Sequence, residues 1–359
     1  MKTRPHPIRV LVVDDSALAR RAITEALSQD PEIEVVGQAS DPYVARDRIL
    51  ALEPDVITLD LEMPRMDGLT FLKILQEHHP VPVVVVSSLT QAGSAKAMEA
   101  MEAGAMDVLG KPDGSRSLSS ISREIAFHVK AAASATRRVR LPASRPAAKR
   151  AAATQNTAPG KYSPRKLLVI GASTGGVEAL RFLLPRLPAG LPPIVVVQHI
   201  PAYFSRSLAE HLDKMCEYEV REAIDGDILR PGLCLIAPGD FHLLLQNTNG
   251  STAVRLNQSP PIHYCRPAVD VLFRSAAEQA GKEAVGVLLT GMGVDGARGL
   301  QAMRAAGART FAEDESSCVV FGMPQAAIKL GAAEQVLPLA QLPEAILNVL
   351  HEPVGRVER

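Results

Sequence analysis

Residues 8–16 read Ile8-Arg9-Val10-Leu11-Val12-Val13-Asp14-Asp15-Ser16, and residues 167–176 read Leu167-Leu168-Val169-Ile170-Gly171-Ala172-Ser173-Thr174-Gly175-Gly176. Each is a short apolar run with chemistry at its tip. The first ends in carboxylates, the second in a hydroxyl set in a glycine-rich turn. Runs this short, rich in Val and Ile, suit strands buried on both faces of a parallel sheet. Such a sheet gathers the side chains beyond its strand carboxyl ends on one rim. The two stretches therefore predict two α/β sheets in one chain, each with a polar rim.

Beyond the first stretch, strand candidates are Ile8–Val13, Ile33–Gln38, Val56–Leu59, Val81–Val86 and Asp107–Leu109. Helix candidates lie between them at Ala17–Leu27, Tyr43–Leu52, Leu69–Gln76, Ala95–Ala103 and Leu118–Ala131, and Pro42 suits a first helical turn. Regular alternation of this kind implies a doubly wound parallel sheet with right-handed crossovers. Around the second stretch the alternation resumes. Strands are expected at Leu167–Ile170, Ile194–Gln198, Cys234–Ala237 and Val285–Thr290, with mixed segments at Tyr218–Glu222 and Ala253–Leu256. Helices are expected at Gly176–Leu184, Phe204–Met215, Ala268–Ala280, Gly296–Ala306 and Pro324–Leu330. From Ala132 to Ser163 the pattern stops. That stretch holds Arg137, Arg138, Arg140, Arg145, Lys149, Arg150 and Lys161, with Pro142, Pro146 and Pro159 and no acidic residue. The expected organisation is a first domain over residues 1–130, a basic Ala/Pro/Arg linker over 131–163 and a second domain over 164–352. A flexible coil of that length spans about 30 Å.

A chain of 359 residues agrees with two domains, since single cores rarely grow past ~250–300 residues. Lys+Arg and Asp+Glu are equal at 39 each, so net charge supplies no reason to expect nucleic acid or an anionic membrane as partner. No apolar run approaches the ~20 residues that span a bilayer. Met1–Pro7 lacks a signal-peptide core, and a cytoplasmic location without membrane insertion is expected. Cys216, Cys234, Cys265 and Cys318 lack CxxC spacing and read as buried or incidental thiols of a reducing compartment.

On the first rim, Asp14 and Asp15 follow the first strand and Asp60 the third. Ser87 follows the fourth and Lys111 the fifth. Three carboxylates this close repel one another and invite a hard divalent cation, most simply Mg²⁺. With a lysine and a hydroxyl opposite, the set suits a phosphoryl group in transfer, and Asp60 can be the nucleophile that forms an acyl phosphate. Val12-Val13-Asp14-Asp15-Ser16, Leu59-Asp60-Leu61-Glu62-Met63-Pro64-Arg65-Met66-Asp67-Gly68, Val86-Ser87-Ser88 and Lys111-Pro112 closely resemble two-component receiver domains. That resemblance implies that Asp60 accepts a phosphoryl group from a histidine kinase. It also implies that Asp14, Asp15 and Asp60 hold Mg²⁺, and that Ser87 and Lys111 sense the phosphoryl oxygens. Many receivers carry an aromatic switch residue three positions before the lysine. That place here is Val108, so an aromatic flip is not expected as the signal.

In the second half, Gly171-Ala172-Ser173-Thr174-Gly175 fits G-x-S-x-G between a strand and a helix, the setting of a nucleophile elbow. A phosphate-binding loop is the rival reading, but the G-x-G-x-x-G spacing and a Walker lysine are missing. A serine nucleophile needs a base and the base an orienting acid. His199 follows the strand ending at Gln198, which puts it on the rim of Ser173. Asp295 follows the Val285–Thr290 strand in a glycine-rich turn, on the same rim. His211 and His242 read as helix-surface or loop residues, and His263 lies in a proline-flanked loop where it could meet substrate. Asp225, Asp227 and Asp240 lack a rim setting. The order Ser, His, Asp differs from the Ser, Asp, His of ordinary α/β-hydrolases.

The segments Gly171–Gly176, Gln198-His199-Ile200-Pro201, Ala237-Pro238-Gly239, Arg266–Phe273 and Thr290-Gly291-Met292-Gly293-Val294-Asp295-Gly296-Ala297 look like the catalytic domain of chemotaxis protein-glutamate methylesterases, the CheB family. With the receiver in front, the resemblance covers nearly the whole chain. It implies a flavodoxin-like receiver followed by an α/β, mostly parallel-sheet methylesterase domain. It implies Ser173 as nucleophile, His199 as base, Asp295 as orienting acid and the Met292 backbone N–H as an oxyanion donor. The expected substrates are glutamate methyl esters on methyl-accepting chemoreceptors, the expected phosphodonor a chemotaxis histidine kinase. Esterase chemistry of this kind calls for no cofactor. Some members also deamidate receptor glutamines. A linker of this length would let the receiver fold back over the hydrolase rim, with phosphorylation of Asp60 biasing that docking. A non-enzymatic receptor binder and a small-molecule esterase are the competing readings.

Overall fold

The computed structural model describes residues 6–87, 91–111, 118–135, 166–248 and 250–351. Two compact units divide in sequence between Ala135 and Thr136, except that Ile200–Ser207 groups with the first.

The first unit runs β1 (Ile8–Val13), α1 (Ala17–Leu27), β2 (Ile33–Ala39), α2 (Pro42–Leu52), β3 (Val56–Leu59), α3 (Gly68–His78), β4 (Val83–Ser87), α4 (Gln91–Glu102), β5 (Asp107–Gly110) and α5 (Leu118–Ser134). Local signals set the helix starts. Ser16 caps α1 by accepting from the Ala19 N–H, Asp67 caps α3, and Asp41 caps α2 with Pro42 in its first turn. The five strands pair in the order β2-β1-β3-β4-β5, all parallel. That is the flavodoxin-like arrangement, whose switch point falls beside β1 and β3. α5 runs to Ser134, four residues into the stretch read as linker, because Ala132 and Ala133 pack into the core with Val10, Val12 and Leu27. The remainder of that stretch, residues 136–163, lies outside the described residues.

The second unit runs β6 (Leu167–Ala172), α6 (Gly176–Leu183), β7 (Ile194–Gln198), α7 (Phe204–Asp213), β8 (Glu219–Glu222) and β9 (Leu233–Ile236). A hairpin of β10 (His242–Thr248) and β11 (Ser251–Asn257) follows, then α8 (Val269–Ala280), β12 (Ala284–Leu288) and α9 (Ala297–Ala305). The unit closes with β13 (Arg309–Glu313), α10 (Met323–Lys329), β14 (Gln335–Leu337) and α11 (Leu342–Leu350). Seven strands pair in the order β14-β13-β12-β6-β7-β9-β8, parallel throughout, and the antiparallel hairpin stands apart. β6 therefore lies between β12 and β7, which brings the tips of three strands side by side. Leu272 and Phe273 of α8 and Leu300 and Met303 of α9 pack on Val169, Val195 and Leu288. Each such side chain contributes roughly 1.5–3 kcal/mol on burial. Among the described residues no helix is long and apolar enough to cross a membrane.

β10, β13, β14 and α11 were not expected from the sequence. His242, read as a surface or loop residue, opens β10 and is buried: its Nδ1 accepts the Ala268 N–H at 3.2 Å. The β13 strand ends in a wholly buried acid, Glu313. Its carboxyl accepts the Thr290 N–H at 2.9 Å and the Ser317 hydroxyl at 2.9 Å. Burial pushes its pKa up to about 7, against those hydrogen bonds. An acid whose pKa rises on folding holds its proton more tightly folded than unfolded. The fold must therefore lose stability as pH climbs from Glu's ordinary 4.5 toward 7. We expect Glu313→Gln to remove that slope, flattening the second unit's stability between those pH values by an amount on the order of a few kcal/mol. Urea unfolding at a series of pH values reads it, and an equal slope in the variant would contradict the assignment.

Candidate active site and phosphoryl site

On the first unit's rim, Asp14 and Asp60 are almost wholly buried and Asp15 is exposed. Carboxylate oxygens of all three lie within 4.8 Å of one another. Lys111 reaches across from the end of β5, its Nζ 2.9 Å from Asp14 Oδ2 and 2.7 Å from Asp60 Oδ2. Burial pushes the Asp60 pKa up, and the neighbouring Asp14 charge adds to it, against the pull of Lys111. For Lys111, burial opposes the charge, but hydrogen bonds to Asp60 and Asp14 outweigh it and hold its pKa above the ordinary value. Among the described residues, nothing hydrogen-bonds the buried Asp60 Oδ1 and Ser87 Oγ. A buried carboxylate oxygen left open beside two more carboxylates fits a hard divalent cation. Val108 is buried in β5, paired with Val85.

The second rim is assembled by β12, β6 and β7. Ser173 follows β6, and the chain turns at once at Gly175, whose φ of 80° is left-handed, to enter α6. The Ser173 N–H donates to Thr290 O at 3.0 Å, and Gln198 Nε2 donates to Ser173 O at 2.9 Å. His199 follows β7, its N–H donating to Ala172 O at 3.0 Å. Asp295 lies in the loop after β12. The Asp295 Oδ2 atom is 2.8 Å from His199 Nε2. An ionised carboxylate only accepts, so Nε2 carries a proton, and in the neutral imidazole Nδ1 presents its lone pair.

Asp295 itself is fixed by the N-terminus of α8. Val269 N–H donates to its Oδ2 at 2.7 Å, Asp270 N–H to its Oδ1 at 3.0 Å and Gly296 N–H to its Oδ1 at 2.9 Å. Burial opposes this charge, yet the His199 contact and the backbone donors hold its pKa below the usual carboxylate value. For His199, burial again opposes the charge. The Cys265 sulfur and the Asp295 carboxylate outweigh it, and the imidazole pKa lies well above its ordinary value.

Ser173, His199 and Asp295 thus share one rim, as their positions in sequence predict, and the imidazole–carboxylate bond is made. The Ser173 hydroxyl is buried and has no hydrogen-bond partner among the described residues. Nδ1 of His199 faces Cys265 Sγ instead, at 3.4 Å. Cys265, read from the sequence as an incidental thiol, is therefore a neighbour of the imidazole. Met292 lies between Gly291 and Gly293 on the loop facing Ser173, and among the described residues nothing accepts its N–H. A Cβ at Gly291 would stand 2.6 Å from Ser173 Cβ and 2.4 Å from Met323 Sδ, so only glycine permits this approach. His263 is exposed, with Nε2 3.5 Å from Asp270 Oδ2. Asp225, Asp227 and Asp240 pair with Arg255, Arg221 and Arg266.

Thr290 and Glu313 were missed by the sequence reading. The Thr290 hydroxyl donates to Thr174 O at 3.0 Å while its N–H is held by Glu313, so the pair braces the turn that carries Ser173. A clue was present in the position of Thr290 just ahead of the glycine turn, but its partner lies on a strand that escaped notice.

Residues 168–346 match the CheB methylesterase family and residues 10–122 the response regulator receiver domain. The chain is similar to "Protein-glutamate methylesterase/protein-glutamine glutaminase 2" of Syntrophus aciditrophicus, at 48% identity over 96% of this chain and 99% of that protein. It is similar to "Protein-glutamate methylesterase/protein-glutamine glutaminase 4" of Anaeromyxobacter dehalogenans, at 50% identity over 98% of this chain and 97% of that protein. Among solved structures, the CheB methylesterase catalytic domain of Thermotoga maritima aligns with a TM-score of 0.51 and 46% identity, covering 51% of this chain and 98% of that one. A flavodoxin-like receiver unit, a parallel-sheet unit with serine, histidine and aspartate on one rim, and near full-length similarity together place the chain in the CheB methylesterase family.

Proposed function

We propose that residues 166–351 form a protein-glutamate methylesterase and that residues 1–135 form the receiver that controls it. The observation that carries this reading is the buried His199–Asp295 bond of 2.8 Å at the tips of β7 and β12, flanking the strand that ends in Ser173. In this reading Ser173 is the nucleophile, His199 the base, Asp295 the acid that orients it and the Met292 N–H an oxyanion donor. Nδ1 exchanges the thiol of Cys265 for the Ser173 hydroxyl and takes its proton. The serine oxygen attacks the ester carbonyl of a glutamate methyl ester on a chemoreceptor, and methanol leaves with that proton. Water then cleaves the acyl-enzyme and frees the glutamate. A glutamine carboxamide follows the same path with ammonia leaving, which gives the glutaminase activity named for the relatives. General-base help is worth roughly 10²–10⁴ in rate and each oxyanion donor roughly 10²–10³.

In the receiver, Asp14, Asp15 and Asp60 would hold Mg²⁺, which neutralises charge on the incoming phosphoryl group. Asp60 takes the group from a chemotaxis histidine kinase, and Lys111 and Ser87 bond its oxygens. On this reading the protein works in the cytoplasm and binds no nucleic acid.

Labelled methanol released from methylated receptor membranes tests both halves. Ser173→Ala should lose at least ~10³-fold in rate while its thermal unfolding stays that of the parent. Asp295→Asn should lose roughly 10⁴-fold. Full activity in Ser173→Ala would refute the assignment. For the receiver, a small-molecule phosphodonor with Mg²⁺ should raise the parent's rate, and Asp60→Asn should stay at the basal rate under the same treatment. A response that survives in Asp60→Asn would move the phosphoryl group to another residue.

A further inference from the structure

Cys265 stands outside the machinery described above and touches it. Its sulfur is 3.4 Å from Nδ1 of His199, the nitrogen that must take the proton of Ser173. Two further observations bear on that contact. Among the described residues, the Ser173 hydroxyl, which should face Nδ1, has no partner. The backbone also goes out of its way to hold the thiol there. Ile262 and Cys265 exchange both backbone bonds, at 3.1 and 2.8 Å, around His263 and Tyr264, whose φ values are 51° and 65°. Two consecutive left-handed residues make the tight turn that Asn and Gly normally supply, and here neither is glycine. Left-handed backbone at non-glycine residues is uphill and persists where the surroundings impose it.

We propose that Cys265 is a positioning residue of the esterase: its thiol competes with the Ser173 hydroxyl for Nδ1 of His199 and keeps the base idle until substrate is engaged. The inference rests on the esterase reading given above. Whether the thiol donates S–H to Nδ1 or passes its proton across, the lone pair that Ser173 requires is taken. The raised pKa of His199 agrees with this, since the sulfur is one of the groups that favour the imidazolium. The other charged groups near the pair face elsewhere or are already fixed. Asp295 binds Nε2 from the loop after β12, and Arg266 is turned to Asp240. His263 and Arg274 both face Asp270, at 3.5 and 3.7 Å.

The test has two arms on the full chain. Cys265→Ala should raise kcat for methanol release about two- to tenfold, the span of one net hydrogen bond, with KM unchanged. Its acid limb of kcat against pH should move to lower pH, because the sulfur no longer favours the protonated imidazole. Cys265→Ser, which keeps a donor but not the sulfur, should stay near the parent in kcat while its acid limb moves with that of Cys265→Ala. A purely structural role would move none of these in that direction.

The second arm needs no esterase activity. Iodoacetamide at neutral pH, with the modified peptide read by mass spectrometry, should label Cys265. Burial pushes the Cys216 thiol up to about 11 and raises Cys234 and Cys318 as well, so those three stay protonated and slow. In His199→Gln the labelling of Cys265 should fall severalfold, because the ring nitrogen 3.4 Å from its sulfur is gone. An unchanged or lower kcat in Cys265→Ala, or equal labelling in His199→Gln, overturns the proposal. If Ser173→Ala is dead and Cys265→Ala gains nothing, the thiol's role fails and the esterase stands. If Ser173→Ala remains active, the esterase reading fails, and labelling still reports whether thiol and imidazole are coupled.

Discussion

One buried charge organises the second unit. Asp295 is 2% exposed, and a carboxylate so far from water persists only if every lone pair is used. Here two donors come from the first turn of α8, one from the start of α9 and one from His199. The helix terminus supplies unsatisfied N–H groups and the positive end of its dipole, which the carboxylate completes. The same bonds fix where α8 begins, where the loop after β12 runs and which way the imidazole points. Orientation of the base is thus a by-product of satisfying a helix end.

Both units use the same economy of design. A parallel sheet is apolar along its length and leaves its chemistry at the strand tips. In the first unit, neighbouring β1 and β3 present Asp14, Asp15 and Asp60, and β5 sends Lys111 across to them. In the second, neighbouring β12, β6 and β7 present Asp295, Ser173 and His199. The surroundings then differ in purpose. The receiver rim is rich in like charge and keeps open oxygens, whereas the esterase rim surrounds the Asp295 carboxylate with four donors.

Much of this was legible in the sequence because strand tips announce themselves. An apolar run followed by Asp-Asp or by Gly-Ala-Ser needs no tertiary information to be placed on a rim. What escaped notice depends on partners distant in sequence. β13 opens and closes on charged residues, and its pairing with β12 and β14, with Glu313 buried beside Thr290, makes it a strand. β14 is three residues long and shows no period. β10 was readable in principle, since Asn249-Gly250 between apolar segments is a strong hairpin signal, and Gly250 has the expected positive φ of 83°. The end of α5 was misplaced because an Ala-rich tail looks like linker until it meets a core. Cys265 could not have been singled out, as its meaning lies in a contact across 66 residues of chain.

The approach of Gly291 to Ser173 has a consequence for how such an enzyme can change. With 2.6 Å between an imagined methyl and the serine's own carbon, nucleophile and opposing strap behave as a single machined part. Neither can drift to admit a bulkier acyl chain without disturbing the other. Diversification of substrate scope, in nature or in the laboratory, is therefore channelled away from this contact and toward exposed positions such as His263 and Tyr264.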